Sequence, residues 1–253
     1  MAWQRTSNLY KPRASAPFKV SRSKIDLFLE CPRCFYFDRR SGVSRPSLPG
    51  FSLNSAVDHL LKKEFDLLRE KGQAHELMKR YGVDAIPYRH EELDVWRENF
   101  VGKQVHHKPT NFIVFGAVDD LWINTNQELI VVDYKSTSTE KEVTLEGEWK
   151  QGYKRQLEIY QWLFRESGFS VSETAYIVYA NAAKNRERFD GKLEFVLTLH
   201  PHTGDTSWIE PALLKMKHIL DAPHAPESSP TCAYCEYRRN AAAHEVQPGQ
   251  LML

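Results

Sequence analysis

The sequence predicts a mixed α/β domain in which a central sheet is flanked by helices. Three observations predict this class: two amphipathic helical segments, a pair of neighbouring apolar strands joined by a short polar link, and two more strands toward the carboxyl terminus. Helices and strands that are interspersed in this way are typical of layered architectures. With 253 residues, of which 42% are hydrophobic, one domain with a sizeable core is expected.

The predicted elements follow one another as helix, hairpin, helix, strand, strand and helix. Apolar residues recur every three or four positions in the first helix, which is the period of a helix with one buried side. The polar link 124–127 has the length of a hairpin connection. The predictions are helices over 53–70, 152–166 and 207–220, and strands over 111–123, 128–135, 174–181 and 193–200.

Charge and hydropathy limit the domain organisation and the location. The formal net charge is +1, and the first 23 residues hold basic but no acidic side chains. We predict a flexible basic tail over 1–20, with an arm that touches phosphates as the alternative, then a single domain over 21–240 and a flexible tail over 241–253.

No apolar run approaches the roughly 18 residues of a membrane span, and no secretion signal is recognisable, so a cytoplasmic protein without a membrane partner is expected.

Two acids and a lysine stand near the ends of the central strands. Because alternate residues of a strand share a face, Asp133 and Lys135 point one way and Tyr134 the other, and only one of Asp119 and Asp120 can join Asp133. Paired strands lie about 5 Å apart, so two carboxylates can share one hard cation such as Mg²⁺ or Mn²⁺. The alternative is that these acids mark turns or form an ordinary salt bridge.

Three short motifs carry a resemblance to a known family. The runs Gly116-Ala-Val-Asp119 and Val-Val-Asp133-Tyr-Lys135 resemble the GxxD and (D/E)xK motifs of PD-(D/E)XK nucleases. The run Gln156-Leu-Glu-Ile-Tyr160 resembles the QxxxY motif of their RecB-type and CRISPR-adaptation branch. All three occur in the family's order, which makes the set more specific than any one motif.

The resemblance implies a PD-(D/E)XK core with a mixed central sheet and the activity of a Mg²⁺- or Mn²⁺-dependent deoxyribonuclease. Single-stranded or frayed DNA in repair, recombination or defence would be the substrate, with a helicase or another repair or defence protein as a possible partner. The implied site comprises the metal ligands Asp119, Asp133 and the carbonyl group of Tyr134, the catalytic Lys135, and Gln156 and Tyr160, which complete the site.

A third side-chain ligand for the metal is expected on the preceding helix. The family places a histidine there in a pattern like LGxxvH, and the matching stretch, Leu53-Asn-Ser-Ala-Val57-Asp58-His59, has Asp58 at the histidine position. Asp58 is the preferred ligand and His59 the alternative, and a solvated helix face is the third reading. On the later helix, Tyr153, Lys154 and Arg155 are candidates for base stacking and phosphate contacts, or are simply solvated.

The four cysteines form two CxxC pairs, Cys31/Cys34 and Cys232/Cys235. Two such pairs match tetrahedral sulfur ligation of zinc or an iron–sulfur cluster, and four unliganded thiols are the alternative. The segment Cys31-Pro-Arg-Cys34-Phe-Tyr36 resembles iron–sulfur nucleases of the same branch, which have one N-terminal and three C-terminal cysteines. The resemblance favours a [4Fe-4S] cluster over Zn²⁺, and either would join the two ends of the domain structurally.

Two other functions fit parts of the sequence. The altered helix ligand is compatible with a catalytically weak or inactive module that only binds nucleic acid. The cysteine site is compatible with a metal-stapled scaffold that binds a protein partner. The scaffold predicts no salt-dependent DNA binding, whereas the other two functions require it.

Overall fold

The computed structural model describes residues 5–46, 50–147 and 150–245. These residues form two compact units, each assembled from separate segments. The first unit takes residues 5–46, Lys108–Phe112 and 210–245, and the second takes residues 50–107 and Ile113–Ile209. Within these ranges, no helix is both long enough and apolar enough to cross a membrane.

The chain contains the following elements. The helices are α1 (Arg22–Glu30), α2 (Pro32–Tyr36), α3 (Ser52–Lys71), α4 (Glu76–Arg80), α5 (Leu93–Trp96), α6 (Gln151–Glu166), α7 (Ile209–Asp221) and α8 (Ala233–His244), with a π-helical turn at Phe37–Ser41. The strands are β1 (Phe18–Ser21), β2 (Ala85–Pro87), β3 (Lys103–His107), β4 (Phe112–Gly116), β5 (Asp120–Asn124), β6 (Leu129–Thr137), β7 (Thr174–Ala182) and β8 (Phe195–Thr203).

A mixed five-stranded sheet organises the second unit. Its order is β2-β5-β6-β7-β8, and only the β6–β7 pair is parallel. A parallel pair needs a crossover connection, and α6 supplies it between β6 and β7. The predicted fold class, a mixed sheet flanked by helices, is confirmed.

The single strand predicted over 111–123 is wrong. The chain forms β4, leaves regular structure at 117–119 and then forms β5. In the second unit β4 pairs with β3, whereas β5 pairs with β6 in the five-stranded sheet. The apolar pattern runs on across the break, so periodicity alone cannot detect it.

The core of the second unit lies where α3 covers the sheet. Phe65 of α3 is fully buried, and its ring stacks 5.5 Å from Trp122 of β5. Tyr134 of β6 packs on the same ring at 5.6 Å. This packing fixes α3 against the strands that carry the predicted site residues.

Aromatic contacts also hold the first unit together. The buried Tyr10 ring packs edge-on against Phe18 at 5.2 Å and Phe112 at 6.3 Å.

Tyr10 lies within the segment predicted as an N-terminal tail, and α8 continues past residue 241 to His244. Residues 1–4 and 246–253 of the two predicted tails lie outside the described residues.

Candidate active site

Asp119 and Asp133 meet at the end of the β5–β6 pair. The register pairs Asp120 with Val132, and Asp119, which precedes β5, lies just beyond the end of this pairing. The carboxyl group of Asp119 interacts directly with that of Asp133. Oδ2 of Asp119 accepts a hydrogen bond from the backbone N–H of Tyr134 at 3.0 Å, which fixes this carboxylate beside Asp133.

Asp133 is a buried acid in an unfavourable environment. Its side chain is 1% exposed. Burial, together with the nearby charge of Asp119, raises the pKa of Asp133 to about 7. Oδ1 accepts a hydrogen bond from Nε2 of Gln156 at 2.6 Å, whereas Oδ2 forms an ion pair with the ammonium of Lys135. A nearby cation would stabilise the ionised form of this buried carboxyl group.

Lys135 supplies one positive charge to the pair. Its Nζ forms an ion pair with Asp133 and lies 3.4 Å from the carbonyl oxygen of Tyr134, to which it donates. Burial alone would lower the pKa of Lys135, but the charges of Asp133 and Asp119 raise it above its ordinary value. Lys135 is therefore protonated in this arrangement and acts as a charge rather than as a free base.

Helix α6 places Gln156 and Tyr160 behind Asp133. Both side chains are buried, and Nε2 of Gln156 donates to Asp133 and also to the hydroxyl oxygen of Tyr160 at 3.1 Å. Residues four apart share a helix face, so this pair forms one hydrogen-bonded unit. Gln156 thereby orients the carboxylate of Asp133.

Helix α3 brings Asp58, and not His59, to the carboxylates. Asp58 Oδ2 accepts a hydrogen bond from Nζ of Lys62 at 2.9 Å, and the same ammonium donates to Oδ1 of Asp119 at 3.1 Å. Burial and the charge of Asp119 raise the pKa of Asp58. Burial would also raise the pKa of Asp119, but Lys62, Lys135 and the hydrogen bond from Tyr134 lower it. His59 is exposed.

An aromatic and basic group borders the same face. Lys135 and Lys150 each place Nζ 5.1 Å from the ring centroid of Tyr153, and Lys150 donates to the hydroxyl of Tyr179 at 2.6 Å. Lys154 and Arg155 of α6 are half-buried. Of the three α6 candidates for nucleic-acid contacts, Tyr153 lies against Lys135.

The four cysteines of the first unit converge at one point. Their sulfur atoms all lie within 4.8 Å of one another, and the Sγ–Sγ distances include 3.8 Å for Cys31–Cys235 and 3.6 Å for Cys34–Cys232. Burial would raise the pKa of Cys31, but hydrogen bonds lower it to about 7. The group has the ligand number and the sulfur chemistry of a tetrahedral metal site.

Arg45 lies against this cysteine cluster. Its Nη2 donates to Sγ of Cys232 at 3.5 Å, its Nη1 to Glu30 at 2.6 Å, and its guanidinium lies 4.6 Å from the ring centroid of Tyr234. A fixed positive charge at this position favours thiolates over thiols. No motif in the sequence singles Arg45 out.

Comparison with known proteins identifies the family. The family model of the PD-(D/E)XK nuclease superfamily matches residues 19–240. The chain belongs to the PD-(D/E)XK nuclease superfamily. Among solved structures, that of SSO0001 matches at 17% identity with a TM-score of 0.37, covering 82% of this chain and 79% of the other. No curated protein matches the chain.

Family membership supplies a context for the geometry of the second unit. PD-(D/E)XK nucleases typically use a divalent metal. The residues present fit one, because the buried carboxylate of Asp133, whose pKa is raised, lies beside the carboxylate of Asp119. Oxygen ligands of this type are those that Mg²⁺ and Mn²⁺ prefer.

Lys62 is the site residue that the motif comparison does not find. It occupies no position of the GxxD, (D/E)xK or QxxxY patterns. A signal was nevertheless present, because Lys62 follows Asp58 by four residues on a predicted helix, and such residues share a face. This superfamily member therefore has a second ammonium at its acids.

Proposed function

We propose that this PD-(D/E)XK chain is a Mg²⁺- or Mn²⁺-dependent deoxyribonuclease that hydrolyses phosphodiester bonds. The observation that carries the proposal is the convergence of Asp119 and Asp133 on one face beside the Lys135 ammonium. Asp119, Asp133 and the carbonyl of Tyr134 would hold the cation, with Asp58 as a further candidate. When bound, the divalent cation supplies charge neutralisation and activation of water.

The chain's own residues would divide the remaining work. Lys135 stabilises negative charge that develops on the phosphate and orients the attacking water. Gln156 holds the Asp133 carboxylate in place, and Tyr160 supports Gln156 through its hydroxyl. Tyr153 and Lys150 offer a ring and an ammonium for a base and a phosphate of single-stranded or frayed DNA, the substrate of the RecB-type branch that the QxxxY motif resembles.

A cleavage assay with Lys135→Ala tests the enzymatic activity. Wild type should cut labelled single-stranded and frayed DNA with Mn²⁺ and lose this activity with EDTA, and Lys135→Ala should lower the rate about a hundredfold or more. Lys63→Ala, an exposed position on α3, is the matched control and should cut like wild type. Equal background-level cutting by wild type and Lys135→Ala would overturn the enzyme proposal.

A catalytically weak module that binds nucleic acid is the second candidate. Two observations favour it: Asp58 stands where the family pattern has a histidine, and the Lys62 ammonium lies between Asp58 and Asp119. It predicts salt-dependent binding of DNA by wild type and Lys135→Ala alike, without cutting by either. Cutting that EDTA and Lys135→Ala both abolish would exclude it.

For the cysteine site the resemblance predicts a [4Fe-4S] cluster with Zn²⁺ as the alternative, and from the spacing of the sulfur atoms we propose a single tetrahedrally coordinated Zn²⁺ ion. Sulfur ligands about 2.3 Å from a Zn²⁺ ion lie about 3.8 Å apart in a tetrahedron. The observed separations of 3.6 and 3.8 Å match this spacing. Anaerobic purification, metal analysis and a visible absorption scan would distinguish colourless zinc protein from a coloured cluster.

Two further expectations stay predictions. The resemblance predicts a helicase or another repair or defence protein as a partner, and pull-down with tagged Asp133→Asn protein on DNA would test it. The sequence predicts a cytoplasmic location, which fractionation of cells would test.

A further inference from the structure

Lys62 lies where two of the candidate metal ligands face each other. Its Nζ is 2.9 Å from Oδ2 of Asp58 and 3.1 Å from Oδ1 of Asp119. The side chain is 21% exposed, so the ammonium is largely removed from water but retains access to it. Both distances are within the range of N–H···O hydrogen bonds, and both bonds join an ammonium to a carboxylate.

The charges around Lys62 explain why an ammonium is stable there. Three carboxylates, Asp58, Asp119 and Asp133, meet two ammoniums, Lys62 and Lys135. Lys135 is paired with Asp133, which leaves Asp58 and Asp119 to Lys62. The described residues therefore provide each of these acids with a protein cation before any metal arrives.

A divalent cation and the Lys62 ammonium cannot both occupy the position between Asp58 and Asp119. Mg²⁺ approaches carboxylate oxygens to about 2.0 Å and needs open lone pairs on them, whereas Lys62 already directs its N–H groups at Asp58 and Asp119. Two positive charges a few ångströms apart also repel strongly in a partly buried site. A lysine has a flexible stem, so its ammonium can leave without a backbone movement.

We propose that Lys62 is a resident counter-ion that competes with the divalent cation for Asp58 and Asp119, and that cation binding displaces its ammonium toward solvent. This proposal rests on the proposed metal-dependent function. Lys62 is a positioning residue here, because it acts through the two carboxylates. Its consequence is a weakened affinity for the cation and a metal-free site whose acids remain paired.

Titration calorimetry with Mn²⁺ alone, on the full chain without DNA, tests the competition. Lys62→Met should bind Mn²⁺ about tenfold tighter than wild type, or more, because the competing charge is lost. Lys62→Arg keeps the charge and should show no gain. Lys63→Met removes the same net charge from an exposed position on the same helix and should stay within about twofold of wild type.

A second measurement uses the wild-type protein and does not depend on whether a variant folds. Reductive methylation followed by mass spectrometry should label Lys62 faster once Mn²⁺ is added, while the exposed Lys63 serves as the internal reference. Unchanged labelling of Lys62 in protein that binds Mn²⁺ would overturn the proposal.

The outcomes separate this proposal from the function on which it rests. Mn²⁺ binding by wild type with equal or weaker binding by folded Lys62→Met would overturn the competition and leave the metal site intact. Absence of Mn²⁺ binding from wild type and from Lys62→Met would overturn both proposals.

Discussion

Asp119 and Asp120 are neighbours in the chain with opposite environments. Asp119 faces Lys62 and the backbone N–H of Tyr134 beside Asp133, and its side chain is 20% exposed. Asp120 points to the other side of the sheet, is fully buried and accepts a hydrogen bond from the hydroxyl of Tyr134 at 2.7 Å. The two neighbouring acids therefore face opposite sides of the sheet, the proposed metal ligand on one side and an acid with buried ion pairs on the other.

Asp120 should be a structural residue with a large effect on stability. It forms ion pairs with Arg69 and with Arg97, the latter at 2.9 Å, and both arginines are largely buried. Asp120→Asn removes the buried counter-ion of both arginines, which keep ion pairs with the more exposed Asp66, and should lower the free energy of unfolding by about 3 kcal/mol. Urea denaturation followed by circular dichroism measures it.

The control for Asp120 is an acid with the same chemistry and no burial. Asp190 has a side chain that is 62% exposed, so Asp190→Asn should change the unfolding free energy by less than about 0.5 kcal/mol. An Asp120→Asn protein as stable as Asp190→Asn would contradict the structural role.

The raised pKa of Asp133 predicts a pH dependence of stability in metal-free protein. Burial, with the charge of Asp119, raises this pKa from its ordinary value to about 7 in the folded state. Between about pH 4 and pH 7 the unfolded chain has lost this proton and the folded chain has kept it. Stability therefore falls as pH rises through that window, by roughly 1 kcal/mol per pH unit from this group.

Asp133→Asn isolates that contribution. The amide cannot ionise but can still accept the hydrogen bond that Gln156 donates to Asp133. The variant should gain stability relative to wild type as pH rises from about 4 to about 7, with no further gain above it. Chemical denaturation in EDTA over this range measures the difference, and a difference that does not vary with pH would rule out the titration.

At the residue scale, the periods of strands and helices predict some of the site residues and miss others. The strand pattern predicts that one acid of the 119–120 pair joins Asp133, and Asp119 is the one whose carboxylate lies beside it. Lys62 could have been predicted from the helical period, because it lies one turn after Asp58 on the same helix face. Arg45 was not, since its contact with Cys232 joins positions 187 residues apart.

At the scale of elements, the segment around the GxxD motif shows what a pattern omits. The apolar residues from 111 to 123 suggest one strand, but Gly116 ends β4 and the next three residues lead into β5. The polar segment 72–109 contains α4, β2, α5 and β3, none longer than five residues. Elements this short show too few periods to be recognised and depend on tertiary packing.

Gly102 holds the end of β4 through a close backbone approach. Its φ is +58°, and a Cβ there would lie 2.3 Å from the carbonyl oxygen of Gly116. Gly102→Ala should therefore combine the strain of a left-handed residue with a backbone clash and destabilise by about 2–4 kcal/mol. The clash would also displace the start of the GxxD run, so Mn²⁺ affinity should fall as well.

Gly72 provides the control for Gly102. Its φ is +62°, and a Cβ there would meet nothing within 4 Å. Gly72→Ala should cost only about 1 kcal/mol and leave Mn²⁺ affinity unchanged. Urea denaturation and calorimetry on the two variants measure the free energy of unfolding and the Mn²⁺ affinity. Equal effects of the two substitutions would mean that the close approach to Gly116 does not contribute to stability.

At the scale of the whole molecule, each compact unit is assembled from segments that are far apart in the sequence. The sequence predicts one domain over 21–240 with its two ends joined at the cysteines, and the contacts group 5–46 with 210–245 in one unit and most of the middle in another. Pairing of distant segments is invisible to local patterns. The two CxxC pairs are the exception, because a shared metal predicts that both ends of the chain meet, and the four sulfur atoms do lie together.

Metal at the cysteine site should stabilise the first unit by closing a long loop. Cys34 and Cys232 are 198 residues apart in sequence, and in the chain-entropy model a crosslink over this distance contributes at most about 5 kcal/mol. Cys34→Ser, or removal of the metal from wild type with a strong chelator, should lower the free energy of unfolding by about 3–5 kcal/mol. Urea unfolding measured with metal analysis of each sample gives the value.

The chelator also reaches the proposed catalytic cation, so the two effects must be separated. Treatment of Cys34→Ser with the same chelator provides the control, because its cysteine site is already broken while Asp119 and Asp133 are intact. If the cysteine metal holds the first unit, the chelator should destabilise wild type strongly and Cys34→Ser hardly at all. Equal losses in both proteins would assign the effect to the carboxylate site, and the cysteines would then lose their structural role.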